Sequence, residues 1–214
     1  ARRSQSRDDL LTRVGKSSLE ISRAAGSAVT FLGESILSLG RFCIGRAQIR
    51  RSDLVLIIQQ SGPQALPIVS LISILVGLIL AFVGAIQLKL FGAQIYVANL
   101  VAIGMTREMG AMMAAIIMAG RTGAAFAAQL GTMQVNEEID ALRTLGVEPT
   151  DFLVLPRMLA LILMMPLLCV YAILLGIAGG AIVGVGMLNL PAAQYWHQTI
   201  AWLHIGDVML GVGK

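Results

Sequence analysis

EEIDALRTLGVEPTDFLVLPR (residues 137–157) places a charged, turn-containing segment between two long apolar runs. GAMMAAIIMAGRTGAAFAAQLG (110–131) precedes it, and MLALILMMPLLCVYAILLGIAGGAIVGVGML (158–188) follows it. Each run is long enough to cross a bilayer core of ~30 Å, which takes ~20 helical residues. A plain connection needs only a few polar residues. A segment this long and this charged therefore reads as one that a partner outside the membrane grips.

Composition agrees. The chain is 57% hydrophobic and 13% charged, with a mean hydropathy of +0.80, where soluble domains run at roughly 45–50% apolar and about 25% charged. This predicts an all-α, polytopic helical membrane protein. The net charge of +4 is unevenly spread, since residues 1–51 hold ten of the sixteen Lys and Arg but only four of the twelve acids. Those bases are dispersed through a helix-like pattern beside a membrane span, which argues against nucleic acid as a partner. Cys43 and Cys169 form no C-x-x-C pair and support neither a disulfide framework nor a zinc site. The sequence opens at Ala1 without an apolar signal region, and it closes at Gly213-Lys214 as a further apolar run begins. It is expected to be part of a longer chain at both ends.

After a polar segment (1–9), residues 10–49 carry Leu11, Val14, Ile21, Ala25, Val29, Leu32, Ile36 and Leu39 at mixed three- and four-residue spacing. Over 10–52 this predicts an amphipathic helix lying at the membrane surface, or a soluble helical linker packed on another domain. Arg46, Arg50 and Arg51 cluster before the first span. Gly62-Pro63 and Pro67 are expected to break any helix that starts near 54, leaving 65–88 as the first crossing. Further spans follow at about 98–129 and 158–184, with an outer loop at 186–206 that contains no Lys or Arg. Arg143 and Arg157 mark the 137–157 stretch as cytoplasmic, and the same charge rule puts the N-terminus there.

The second span contains Arg107, Glu108 and Arg121. Each costs ~2.5–3.5 kcal/mol at a bilayer centre, so such charges usually face a cavity or a partner. Arg107 and Glu108 are adjacent and point about 100° apart, so they do not neutralise each other on one helix face. Either they line a polar part of a translocation path or touch a ligand headgroup, or they snorkel or pair with a neighbouring helix. Gly and Ala fill twelve of the twenty-two positions from 110 to 131, a pattern that lets helices approach closely in lipid.

No catalytic constellation is present. His197 and His204 lack a third metal ligand and sit beside Trp196 and Trp202, as interfacial residues do. Gly15-Lys16-Ser17 and Gly213-Lys214 imitate a nucleotide-binding loop, but a Walker A loop needs a glycine where Leu10 and Val208 stand. ATP is not bound by that device. Asp140-Ala141-Leu142-Arg143-Thr144-Leu145-Gly146, followed by Leu153-Val154-Leu155-Pro156, looks like a relaxed form of the E-A-A-x-x-x-G…I-x-L-P loop of ABC importer permeases, with a shorter interval after the glycine. Such a loop is a short helix, here stopped by Gly146 and Pro149, whose apolar side (Ile139, Leu142, Leu145) fills a groove on an ATPase. Glu137, Glu138, Asp140 and Arg143 surround that side.

Taken together, R-E-x-G at Arg107–Gly110, A-G-R-x-G at Ala119–Gly123, L-G-T-M at 130–133, E-x-I-D-A-L at 137–142 and L-G-V-x-P at 145–149 closely resemble the MlaE/YrbE family, the permeases of Mce-associated ABC lipid transporters. The resemblance extends more weakly over 54–214 and includes G-D-V-x-x-G-x-x-K at Gly206–Lys214. It implies a permease domain over 53–214, an elbow helix before it, and five membrane helices in a full chain, of which three and the start of a fourth lie here. It also implies a homodimer in the bacterial inner membrane, two cytoplasmic ATPases, a periplasmic Mce-domain protein and a STAS-domain protein. ATP and Mg would belong to the ATPase, and this chain would bind no cofactor. Lipid would lie between the two permeases beside Arg107, Glu108 and Arg121, and residues 137–148 would be the coupling helix. Two alternatives stay open from the residues alone: an ABC importer permease for a small polar solute, and a non-ABC scaffold or secondary transporter.

Overall fold

Lipid offers a backbone no hydrogen-bond partners, so long apolar runs must satisfy their amides internally. The computed structural model describes residues 10–44, 51–188 and 190–213, and among them every regular element is helical. The polar segment 1–9, and Arg46 and Arg50 of the basic cluster, lie outside the described residues. The chain divides into two compact units, residues 1–49 with 142–155 and residues 50–141 with 156–214.

The first unit contains α1 (Leu10–Cys43) and the stretch that ends in a π turn at Thr150–Val154. Ser35 and Ser38 of α1 are buried, whereas Ile21, Val29, Leu32 and Ile36 are exposed. In the second unit, α2 (Arg51–Lys89) is followed by α3 (Val97–Gly104), α4 (Gly110–Ile117) and α5 (Gly123–Val135), which together form one long span. α6 (Glu138–Thr144) leads into the first unit, and α7 (Leu155–Gly186) leads out of it. α8 (Ala192–Trp202) and α9 (Ile205–Val212) complete the described chain. Three segments are long and apolar enough to cross a membrane: Leu54–Lys89, Gln94–Val135 and Thr150–Gly186.

Burial in α2 follows size rather than hydrophobicity. Ala65, Val69, Ser73, Gly77, Ala81 and Ala85 recur every fourth residue and are buried, while Leu71, Leu75, Ile79, Phe82 and Ile86 face outward. Without water to expel, packing of small faces holds helices together and large apolar residues go to lipid. The closest approach is to α7: a methyl group at Gly77 would collide with the Gly176 carbonyl, and one at Gly179 with the Ile74 carbonyl.

Three expectations are corrected here. α2 runs unbroken through Pro63 and Pro67. Both rings lie on its exposed side, and a proline in a span is tolerated where neighbouring groups serve the backbone carbonyl it leaves without a donor. The stretch read as a loop at 186–206 contains α8, held by Tyr195, which is fully buried. Its ring packs where Gly184 has no side chain, and its hydroxyl donates to the Ile177 carbonyl at 3.4 Å. The third span also begins earlier than residue 158, because the π turn at Thr150–Val154 continues directly into α7.

Gly77→Val is expected to cost about 2–3 kcal/mol or to prevent folding, since the obstacle is backbone that cannot swing aside. Gly33→Ala is the control, because a methyl group there meets nothing within 4 Å. It should be neutral or stabilise the helix by up to about 1 kcal/mol. Thermal melts in detergent, followed by circular dichroism, separate the two.

Candidate functional site

The second span departs from a regular α-helix twice. A π turn at Met105–Met109 separates α3 from α4, and another at Met118–Thr122 separates α4 from α5. A π turn inserts a residue into the helical ladder and re-aims the side chains around it, often at functional sites. Each of these turns carries one arginine of the span, Arg107 in the first and Arg121 in the second, and each is followed at once by a glycine. Gly110 is needed where it stands, because a methyl group there would fall 2.7 Å from the Met105 carbonyl oxygen.

At the first turn, Thr106 is fully buried and its hydroxyl donates to the Ala102 carbonyl at 2.6 Å. Arg107 projects from the same turn and its Nε lies 2.9 Å from Oδ1 of Asp207, on α9. The other oxygen, Oδ2, accepts the His204 backbone N–H at 3.4 Å, tying the carboxylate to the start of its own helix. α9 can come this close because Gly211, one turn after Asp207, lies against the Thr106 carbonyl, where a methyl group would collide. Glu108 is exposed beside the pair. The result is an ion pair with a second carboxylate next to it, set among apolar spans.

Arg121 is not part of this group. Fourteen residues of helix separate it from Arg107, roughly 21 Å of rise. It lies near Gln60, Ser61 and Gln64 of α2 instead.

The segment between the second and third spans is built from two corners. Glu137 adopts a left-handed backbone (φ 59°), and α6 follows it for seven residues. Asn136 Nδ2 donates to Glu138 Oε1 at 3.3 Å. At the far end Gly146 (φ 74°) closes the helix: its N–H donates to the Arg143 carbonyl and the Val147 N–H to the Leu142 carbonyl, both at 3.0 Å. This is the Schellman pattern, which favours glycine because a Cβ is strained there. Ile139 and Leu142 are half-buried, Leu145 is exposed at 76%, and Glu137, Glu138, Asp140, Arg143 and Gly146 are exposed.

Sequence reasoning did not find the anchor of this segment. Arg41 of α1 reaches Glu148 Oε2 at 2.6 Å and Asp151 Oδ2 at 3.1 Å. Thr150 donates to Glu34 Oε2 at 3.2 Å. A cavity of about 510 Å³ lies between Glu34 and the Arg143–Thr150 stretch. The Glu148 hydrogen bond, helped by the charge of Asp151 and outweighing desolvation, raises the Arg41 guanidinium above its ordinary pKa. It stays cationic at any pH the protein meets. Arg41 and Glu148 are 107 residues apart, so no local pattern announces the pair. Asp207 and Gly211, by contrast, stood in the G-D-V-x-x-G sequence with their partners unidentified.

Arg41→Glu is expected to speed amide exchange over residues 148–152, and the exchange Arg41→Glu with Glu148→Arg to reverse much of that. In the wild type, 1 M NaCl should loosen the same residues, since screening there acts within ~3 Å. Hydrogen–deuterium exchange read by mass spectrometry checks all three; unchanged exchange in Arg41→Glu would remove the anchor.

The family model described as permease MlaE matches residues 54–214. A "probable ABC transporter permease protein" of Rickettsia conorii is 34% identical over 206 residues, covering 96% of this chain and 78% of that protein. The "intermembrane phospholipid transport system permease protein MlaE" of Haemophilus influenzae is 30% identical over 211 residues, covering 96% and 77%. The chloroplastic protein TRIGALACTOSYLDIACYLGLYCEROL 1 of Arabidopsis thaliana is 35% identical over 125 residues, covering 58% and 36%. With a family model spanning all three membrane segments and relatives matched along nearly its whole length, this chain belongs to the MlaE permease family.

Proposed function

We propose that this permease moves phospholipid, or a related lipid, as the transmembrane subunit of an ABC transporter, exchanging it with a periplasmic Mce-domain protein. The observation that carries the reading is the charged group at the first π turn. Arg107, Asp207 and Glu108 offer a headgroup both a cation and acceptors, while exposed Leu100 and Met112 on the same span suit acyl chains. The kinship with the H. influenzae phospholipid permease supports the choice of lipid over a small polar solute.

Energy would come from a separate cytoplasmic ATPase holding ATP and Mg, with residues 137–148 as its docking element. Exposed Leu145 on a short, cornered helix suits insertion into a groove of such a partner. Nucleotide would act by biasing two shapes of the lipid cavity, through differential contacts in each state. The cavity would be completed by a second copy of the permease, and a STAS-domain protein would join the assembly. The Lys and Arg distribution supports a bacterial inner-membrane protein with its N-terminus in the cytoplasm, and the exposed apolar stripe of α1 suits the membrane surface.

Glu108→Lys is expected to reduce lipid transfer in proteoliposomes of the full assembly to background while the subunits still co-purify. Transfer at the wild-type rate would refute the assignment. Leu145→Asp should release the ATPase in a pull-down without lowering the melting temperature, because the side chain is exposed; retained ATPase would place docking elsewhere.

A further inference from the structure

A second polar site lies in the spans, away from Arg107. A cavity of about 280 Å³ is lined by Gln60, Ser61 and Gln64 of α2 and by Arg121, Phe126 and Gln129 of the second span. All six residues belong to segments long and apolar enough to cross a membrane, where charged and polar side chains mark functional positions. The lining contains a guanidinium and three carboxamides but no carboxylate. Gln129 Oε1 is within 3.5 Å of Arg157 Nη2, which leaves its NH2 group as a donor. The Arg157 guanidinium sits 5.5 Å from the Phe126 ring centroid, so a second cation stands at the rim.

Ser61 adds an independent sign. It is 3% exposed, and its hydroxyl has no hydrogen-bond partner. A helical serine commonly donates to the carbonyl four residues back, as Ser70 does to Leu66 at 2.6 Å. A buried hydroxyl without a partner costs about 1–3 kcal/mol, a cost removed if a ligand supplies the acceptor. Hydroxyl and amide donors gathered around an arginine fork, with no carboxylate in the lining, fit an anion with several oxygens arranged for bidentate contact.

We propose that this cavity binds the phosphate of an anionic amphiphile, a phospholipid phosphodiester, at a site distinct from the one at Arg107. Arg121 takes two phosphate oxygens, and Ser61 and the glutamine amides take the remainder. Phe126 and Ala125 form an apolar wall for the glycerol and first acyl carbons. The site lies toward the end of the spans where α2 begins, roughly 21 Å of helical rise from Arg107. It depends only on the spans crossing a membrane, not on lipid being transported.

The test is native mass spectrometry of the full-length protein in its native assembly, loaded in phosphatidylglycerol nanodiscs and then delipidated stepwise in detergent. Wild type should retain a lipid that Arg121→Gln releases about tenfold faster, the loss expected for one charge-assisted contact. Arg107→Gln should retain it, which separates this site from the transport reading. Ser61→Ala, which removes one hydroxyl, should weaken retention in the same direction and serves if Arg121→Gln fails to fold. Saturable, Arg121-dependent stabilisation by inorganic phosphate, with no lipid retained, would assign the phosphate site to a free anion instead. Equal retention in wild type and Ser61→Ala or Arg121→Gln, with no effect of phosphate, overturns the proposal. A disulfide formed between two copies through Gln64→Cys, showing the cavity covered by protein, also overturns it.

Discussion

The contact on which the rest of the second unit depends is backbone against backbone. Gly77 of α2 meets Gly176 of α7, and Gly179 meets the carbonyl of Ile74. In a bilayer the hydrophobic effect gives helices no reason to associate, so dispersion between closely approaching chains must do it. That explains why α2 buries alanine, serine and glycine and turns leucine and phenylalanine outward. Gly176 also receives the Met105 side chain, so the crossing helps fix the turn from which Arg107 projects. Packing by small residues and placement of the charged group are therefore one arrangement.

The same logic recurs at α9. Gly211 lets that helix lie on the Thr106 carbonyl, and only then does Asp207 reach Arg107. The first π turn is thus held from two sides, by Gly176 on α7 and by Gly211 on α9. Arg107 is half-exposed even so. The pair therefore positions the arginine at the first π turn.

Hydropathy made the three spans legible, because runs such as 158–188 contain almost nothing but apolar residues. The corner at Gly146 was legible too, since glycine before V-x-P signals a helix end. The π turns were not: they change one hydrogen bond per turn and leave composition untouched. The prolines of α2 misled because rules drawn from water apply a penalty that a packed span avoids. The Arg41 anchor was invisible for another reason: its acids lie in a distant segment, and pairing at such separation has no periodic signature. Of the site residues expected together, Arg107 and Glu108 share one turn, while Arg121 lines a cavity with Gln60, Ser61 and Gln64 of α2.

α6 has only seven residues, well short of the ~12–15 that an isolated helix needs in water. Its two ends are therefore fixed by left-handed residues, Glu137 and Gly146. Of the intervening positions, Glu138, Asp140, Ala141, Arg143 and Thr144 are exposed. Such a segment can change its surface chemistry through substitution, and so exchange one partner for another over evolutionary time, while the membrane-embedded part of the molecule stays as it is.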